Sequence, residues 1–183
     1  MDQELKDIIK GCKKHNTQAQ KDCYSRFYGK MFPLCLRYVG QREEAQEVLN
    51  DAFLKVFTSI NQYQGIGSFE GWIRKIVVHK CLDYLRSVSR HRNTIKNPDT
   101  FFCPTTISSE AEEQHHYYYL SWLLNGLPEQ HKNVFNLFVL DGYNHQEIGR
   151  KLNITVANSK YCLHQARKAL QENLKTIQEN ERS

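Results

Sequence analysis

Apolar residues recur at three- and four-residue steps along most of the chain, and this spacing predicts helices rather than strands. We expect a short first helix from about Gln3 to Lys14 and a second from about Ala19 to Val39. The third helix has the most regular apolar stripe, made of Ala45, Val48, Leu49, Ala52, Phe53, Val56, Phe57 and Ile60. Its opposite face is acidic and rich in amides. The fold class expected from this pattern is all-α.

A glycine-bearing loop at residues 61–67 follows the third helix and leads into a fourth. Ser68 is placed to cap the fourth helix, and Glu70 lies in its first turn, where the helix dipole favours a carboxylate. Trp72 falls on the apolar stripe of that helix. The spacing therefore assigns its ring to the core.

From about Ser89 to Glu110 the helical periodicity is lost, and proline, serine and threonine accumulate. This composition predicts a flexible linker. We place an N-terminal domain at residues 1–90, the linker at 91–111 and a C-terminal domain at 112–183. The expected architecture is thus two small helical domains joined by a flexible linker.

Residues that favour helix ends and turns divide the C-terminal domain into short helices. Pro128 is expected in the first turn of a helix that Gly142 ends. Asn144 with Glu147 forms a capping-box pattern at the start of the next helix. Asn153 suits the left-handed position of a tight turn.

Two helices joined by that turn, over about residues 144–170, fit a helix-turn-helix and also an ordinary helical hairpin. Gly149 would let a neighbouring helix approach closely, and Thr155 can cap the second helix. The second helix favours DNA binding, since its amides and lysine can pair with base edges while its last two basic residues grip phosphate. Its outer face offers Asn158, Lys160, Tyr161, His164, Gln165, Arg167 and Lys168.

The net charge of +5 is modest, but the basic residues are segregated along the chain. Residues 71–99 hold 7 basic and 2 acidic residues, and residues 148–183 hold 7 and 3. Residues 100–147, between them, hold 1 basic and 6 acidic residues. Two basic blocks separated by an acidic one indicate two contacts with a polyanion.

The rest of the composition argues against several other classes of protein. The six cysteines form no C-x-x-C pair, so a zinc site would need distant residues such as His79, His115, His116 and Cys103 to converge. We expect no metal, no cofactor and no disulfide framework. The chain lacks both an apolar run long enough to span a membrane and a signal peptide, which predicts a cytoplasmic protein without membrane insertion. No nucleophile or phosphate loop supports catalysis, so we do not expect an enzyme.

Several motifs resemble a known family. In the C-terminal half these are Leu127-Pro128-Glu129, Tyr143-x-x-x-Glu147-Ile148, Leu152-x-Ile154, Ser159-Lys160 and Ala166-Arg167-Lys168-Ala169-Leu170. They resemble the C-terminal domain of bacterial RNA polymerase sigma factors of the small extracytoplasmic-function (ECF) type. Residues 42–53 resemble the conserved-region-two helix of that family, and residues 68–76 and 82–86 resemble its promoter-opening helix. The resemblance covers about Ala19 to Leu174.

The second helix of the helix-turn-helix departs from the family pattern. Ser159 stands where valine is usual, Asn158 where threonine is common and Ala157 where glycine is common. Cys162 and Gln165 stand where arginine is frequent. The base preference of the family is therefore not carried over to this chain.

The resemblance implies an alternative-type sigma factor, which binds core RNA polymerase and promoter DNA and directs promoter recognition, DNA opening and transcription initiation. Docking on the beta-prime clamp would use Glu44, Gln46, Glu47, Asn50 and Asp51. The minus-ten element would meet Gln62, Tyr63, Gln64, Arg74, Lys75, His79, Asp83 and Arg86. The C-terminal domain would contact the beta flap and read the upstream, minus-thirty-five element. Factors of this kind are commonly controlled by an anti-sigma factor or a response regulator.

Three other interpretations stay open from the residues alone. One is a helix-turn-helix transcriptional regulator that binds duplex DNA without being a polymerase subunit. Another is a metal-dependent helical enzyme, which would carry stoichiometric metal. The last is an interaction module, in which the basic helix would have no use.

Overall fold

The structure, a computed structural model, describes residues 2–92, 123–124 and 126–180. In those ranges it contains helices and turns and no strand, which confirms the all-α prediction. The chain divides into two compact units, Met1–Thr100 and Phe101–Ser183. The linker predicted at 91–111 lies outside the described residues, except for residues 91 and 92, which end the fourth helix.

The first unit is built from four helices and one short turn of 3₁₀ helix. These are α1 (Gln3–Lys13), α2 (Thr17–Val39), α3 (Arg42–Ser59), the 3₁₀ turn (Ile60–Gln62) and α4 (Phe69–Arg92). Side-chain caps explain where the first two helices begin. The Asp2 carboxylate accepts from the Leu5 amide at 2.7 Å, and the Asn16 amide oxygen accepts from the Ala19 amide at 2.9 Å.

The core of the first unit lies between α2, α3 and α4, and α1 packs against α2. Each of the three central helices contributes side chains that are fully buried or nearly so: Met31, Leu34, Leu49, Phe53, Ile73 and Val77. Burying one such side chain is worth about 1.5–3 kcal/mol. Gly11 allows the close approach of α1 to α2, since a Cβ there would lie 2.5 Å from the Cβ of Ala19.

The second unit contains three described helices. These are α5 (Glu129–Phe135), which continues into a π turn (Asn136–Leu140), α6 (His145–Leu152) and α7 (Val156–Asn180). Leu124, Leu137, Ile148 and Ala166 are fully buried and form the centre of its core. Gly142 ends the segment with a φ of +75°, as the sequence predicts.

Pro128 differs from its predicted place by one position. It precedes α5 instead of lying in its first turn, because its ψ of 138° is extended. The π turn that follows α5 also has no counterpart in the prediction. In it the Asp141 amide donates to the Asn136 carbonyl at 3.0 Å, five residues back along the chain.

Candidate DNA-binding and polymerase-binding surfaces

The first helix of the predicted helix-turn-helix, α6, begins at a complete capping box. The Asn144 amide oxygen accepts from the backbone of Gln146 and Glu147 at 3.0 and 2.9 Å. The Glu147 carboxylate accepts from the Asn144 backbone at 2.8 Å. The reciprocal pair satisfies backbone donors that the helix itself cannot, and so fixes where α6 starts.

The turn between α6 and α7 uses two special backbone positions. Asn153 adopts the left-handed conformation, with φ 54° and ψ 49°, as predicted. A Cβ on Gly149 would lie 2.8 Å from the carbonyl oxygen of Ile154. The sequence interpretation, that Gly149 makes room for a neighbouring helix, was therefore wrong in its partner: the backbone of the turn itself requires the glycine.

The start of α7 is held to α6 by side chains. The Thr155 hydroxyl accepts from the Asn158 amide at 3.1 Å and caps the helix. The buried Ser159 hydroxyl lies 2.9 Å from Nδ1 of His145 on α6. The His145 ring stacks on Phe138, with centroids 4.5 Å apart. Ser159, a departure from the family pattern, thus joins the two helices.

The environment of His145 favours a neutral ring. Burial lowers the pKa of His145 below its ordinary value, and the nearby charges of Lys160 and Arg167 lower it further. A neutral ring can share a proton with Ser159 in either direction. The contact between α6 and α7 is therefore suited to neutral pH.

The predicted base-reading residues all lie on α7, but they differ in how far they are exposed to solvent. Lys160, Tyr161, His164, Arg167 and Lys168 are exposed, whereas Asn158 and Gln165 are half-buried. The Asn158 oxygen accepts from the Cys162 thiol at 3.5 Å. Asn158 therefore already has an intramolecular partner, and Gln165 lies at the edge of the exposed face.

Two residues in the first turn of α7 were missed by the sequence interpretation. Val156 is 39% exposed, and Ala157 is also exposed. N-terminal residues of a recognition helix meet base edges, and apolar side chains contact the thymine methyl group. Their place directly after a cap is not a sufficient signal, since Phe69, which directly follows the Ser68 cap, is buried.

The loop after α3 is anchored by Tyr63. Its ring packs on Phe69 and Trp72, with centroids 5.0 and 5.6 Å away, and it is 5% exposed. Its hydroxyl donates to the Gly67 carbonyl at 3.0 Å. The ring of Tyr63, a residue that the family resemblance placed at the minus-ten element, is therefore occupied within the protein.

The tip of this loop presents other side chains to solvent. Gln62 and Gln64 are exposed, as the prediction requires. Ile66 is 81% exposed and lies between Gly65 and Gly67, which have φ values of +81° and +73°. Those glycines lift an apolar side chain away from the core, a feature the sequence interpretation missed.

The helix after the loop, α4, begins at the Ser68 cap, whose hydroxyl accepts from the Gly71 amide at 3.0 Å. Of the predicted strand-lining residues, Lys75, His79, Asp83 and Arg86 are exposed and Arg74 is half-buried. Asp83 and Arg86 pair at 2.8 Å. Trp72 is half-buried and stacks on Phe69 with ring planes 17° apart, so its indole is partly core and partly surface.

The acidic face of α3 contains a hydrogen-bonded network with α2. The Gln46 amide donates to the Tyr24 hydroxyl at 2.8 Å and accepts from the Tyr28 hydroxyl at 2.9 Å. The Tyr24 hydroxyl in turn donates to Asn50 at 2.9 Å. The tyrosine hydroxyls of α2 therefore hold Gln46 and Asn50, two of the predicted docking residues, in place. Glu44, another residue of that set, is half-buried.

The outer part of the same face carries an exposed leucine. Glu47 and Asp51 are exposed, and Leu54, three residues beyond Asp51, is 63% exposed. Residues at steps of three, four and seven share one side of a helix. An apolar side chain thus lies among carboxylates and an amide, and it was absent from the predicted set because it does not follow the core stripe.

Within the described residues no group of histidine, cysteine and carboxylate side chains is arranged to hold a metal ion. Five cysteines there are free and buried: Cys12, Cys23, Cys35, Cys81 and Cys162. Cys103 lies outside the described part. No helix in the described ranges is long and apolar enough to cross a membrane.

Comparison with known proteins agrees with this arrangement. Residues 23–91 match the family described as sigma-70 region 2, and residues 119–170 match sigma-70, region 4. The chain is 25% identical over 195 residues to the ECF RNA polymerase sigma factor SigW of Bacillus subtilis, covering 97% of this chain and 100% of that protein. It is 23% identical to RNA polymerase sigma factor YlaC of the same species, covering 92% and 99%.

A solved structure has a similar fold. It is the sigma factor RpoE of Bartonella quintana, crystallised with the anti-sigma factor NepR. The TM-score is 0.56 at 14% identity, and the match covers 85% of this chain and 96% of that one.

Proposed function

The chain belongs to the sigma-70 family, in its ECF group, and we propose that its two helical units divide promoter recognition between them. As an alternative sigma factor it binds core RNA polymerase and promoter DNA and directs transcription initiation. It is a regulatory subunit of the polymerase. The division of labour rests on one observation above all: two exposed polar surfaces, on α7 and on the loop before α4, belong to separate units.

The second unit would read the upstream, minus-thirty-five element through α7. Ala157, Tyr161, His164 and Lys168 recur at three- and four-residue steps and are exposed together. Lys160 lies beside them and can reach base edges, while Arg167 and Lys168 are suited to phosphate. The caps and the hydrogen bond between His145 and Ser159 fix α7 before DNA binds. Binding therefore costs little conformational entropy in this part of the chain.

The first unit would open and hold the minus-ten element. Removing a base from the stack costs a few kcal/mol, which contacts to the extruded base must offset. Gln62 and Gln64 supply edge contacts, and Ile66 is placed to insert between bases as an apolar wedge. Tyr63 has a positioning role: its buried ring and its bond to Gly67 fix the loop. The exposed polar side chains of α4, from Lys75 to Arg86, would line the separated strand.

The outer face of α3 would dock on the beta-prime clamp. Glu47 and Asp51 supply negative charge, and Leu54 supplies apolar surface that docking would remove from water. Gln46 and Asn50 chiefly hold α3 against α2, because the side-chain amides of both are hydrogen-bonded to the Tyr24 hydroxyl.

Joining the two readers on one polymerase makes strong individual contacts unnecessary. Once one unit is bound, the other is held at high effective concentration near its element.

The similar sigma factor RpoE was crystallised with the anti-sigma factor NepR. We propose that a comparable inhibitor or a response regulator acts on this chain, and that the protein works in the cytoplasm, where core polymerase and promoters meet.

Two charge reversals test the division of labour. Glu47→Lys should weaken binding to core polymerase, whereas Lys160→Glu should weaken binding of the assembled holoenzyme to promoter DNA and leave core affinity unchanged. Fluorescence titration of labelled protein with core, then of holoenzyme with promoter fragments, separates the two effects. Asp22→Lys, at an exposed carboxylate on α2, is the matched control for Glu47→Lys. Equal losses of core affinity from Glu47→Lys and Asp22→Lys would contradict the assignment of α3.

A further inference from the structure

Four lysines of α1 form a basic edge that the proposed function does not use. Lys6, Lys10 and Lys13 follow one another at steps of four and three residues and so share one side of the helix. Lys14 follows directly at the end of the helix, and all four residues are exposed. We call this set the lysine edge.

Two acidic residues at the start of α1 are paired with a basic residue of α2. Arg26 of α2 binds the carboxylates of Asp2 and Glu4 at 2.6 and 2.7 Å. The ammonium groups of Lys6, Lys10 and Lys14, by contrast, have no hydrogen-bond or ion-pair partner among the described residues. Asp2 and Glu4 are thus paired with Arg26, and the Asp7 carboxylate accepts from the Gln3 side-chain amide at 3.3 Å. Four lysines against this one unpaired carboxylate leave the lysine edge with a net positive charge.

Lys13 connects the lysine edge to the loop at residues 61–67. Its ammonium group donates to the carbonyl oxygen of Tyr63 at 3.1 Å, across fifty residues of sequence. Tyr63 in turn holds the far side of the loop through Gly67. One end of the lysine edge therefore meets the base of the loop that carries Gln62, Gln64 and Ile66.

The dimensions of the lysine edge suit a nucleic-acid backbone. At about 1.5 Å per residue, the seven-residue step from Lys6 to Lys13 spans about 10 Å of helix. One DNA strand advances by about 3.4 Å per phosphate along the axis of duplex DNA and by more where the strand is opened and extended, so this length spans at most about three phosphates.

We propose that the lysine edge binds the sugar-phosphate backbone of the promoter strand whose base is taken up by the adjoining loop. This inference rests on the proposed role of the loop and extends the DNA-binding surface to α1. Lys6, Lys10 and Lys14 contact phosphates, and Lys13 sets the position of the loop relative to them. Such contacts fix the register of the strand and carry no sequence information.

Charge complementarity favours DNA over a polymerase surface as the occupant. A polymerase surface that receives the carboxylates of α3 would be basic, and it would repel the lysine edge. Phosphates attract it. The lysine edge is also continuous with the loop rather than with the outer face of α3, since Lys13 donates to the Tyr63 carbonyl of that loop.

The test uses the full chain assembled with core polymerase. Lys10→Gln/Lys14→Gln removes two charges without touching Lys13. Promoter affinity is measured by fluorescence anisotropy on a forked fragment between 50 and 200 mM salt. Losing two phosphate contacts should reduce the slope of log affinity against log salt by about 1.4–1.8. The advantage of the unaltered protein should then shrink about ninefold across that range of salt.

A charge-conserving variant and a modified DNA serve as controls. Lys10→Arg/Lys14→Arg should keep the original slope. Neutral methylphosphonate linkages beside the base held by the loop should reduce the slope for the unaltered protein and have little further effect on Lys10→Gln/Lys14→Gln. An unchanged slope in the glutamine variant, with normal promoter binding by the unaltered protein, would overturn this inference alone.

Two other outcomes are distinct. If the glutamine variant loses affinity for core polymerase while its salt slope on DNA is unchanged, the lysine edge is a protein contact and the inference is wrong. If the unaltered holoenzyme binds forked DNA no better than core polymerase alone, the proposed function itself fails.

Discussion

Leu54 offers a quantitative test of the docking face proposed for α3. Its side chain is 63% exposed and shares one side of the helix with Glu47, Asn50 and Asp51. Leu54→Ala removes three carbon groups, each worth about 0.8 kcal/mol when fully buried. Scaled by the fraction now exposed to water, complete burial on core polymerase would lose about 1.5 kcal/mol, or about tenfold in Kd.

The assay is a titration of labelled Leu54→Ala protein with core polymerase, accompanied by thermal unfolding. The change should leave the stability of the free protein almost unaltered, since the side chain contributes little to its core. Ile66→Ala is the matched control, because it also shortens an exposed apolar side chain of the same unit. It should leave core affinity unchanged and slow promoter opening, reported by a fluorescent base analogue. Unchanged core affinity in Leu54→Ala would refute the reasoning, as would an equal loss in Ile66→Ala.

Three further predictions concern the second unit. Gly149→Ala should destabilise it by about 1–3 kcal/mol, because the new Cβ would meet the Ile154 carbonyl at 2.8 Å, and a calorimetric scan measures the loss. The pKa of His145 in the folded protein lies below its ordinary value of 6.5, so on acidification the unfolded chain takes up this proton first. The free energy of unfolding of the unit should therefore fall as the pH drops through about 6.5. Denaturant titrations at several pH values measure this, and His145→Gln should lack this part of the pH dependence. Lys160→Ala or Gln165→Ala should alter base preference at the upstream element in binding selections, with core affinity intact; loss of core binding would contradict the roles assigned to the units.

Local signals account for what the sequence predicted well. The capping box at Asn144, the left-handed Asn153, and the caps Ser68 and Thr155 each depend on residues within three or four positions. The apolar stripes of α2, α3 and α4 likewise predicted helices that the structure contains. Such features follow from the backbone chemistry of a helix end or from one helical period, and they need no knowledge of distant partners.

Tyr63 shows where the sequence was insufficient. Polar residues and glycines surround it, so the sequence suggests an exposed ring, yet Phe69 and Trp72 from the next helix cover it. Leu54 has the reverse problem: leucine suggests burial, but α3 turns it toward solvent. The fate of both side chains depends on how α3 and α4 pack.

The contact between Lys13 and the Tyr63 carbonyl also lay beyond the sequence. Nothing local to α1 indicates that one lysine is a structural donor while its neighbours keep free charges. The family resemblance begins near Ala19, after the end of α1, so it implies no role for these lysines. The hydrogen bond from Lys13 joins α1 to the loop at residues 61–67.

The central claim, that two units read two promoter elements on one polymerase, is tested most directly by site-specific crosslinking. A photoreactive side chain replaces Ile66 in one protein and Lys160 in another, and each is irradiated with promoter DNA in the presence and absence of core polymerase. The account predicts that position 66 crosslinks to the minus-ten element and position 160 to the minus-thirty-five element, both strongly only with core. Crosslinks from both positions to one element, or equally strong crosslinks without core, would contradict it.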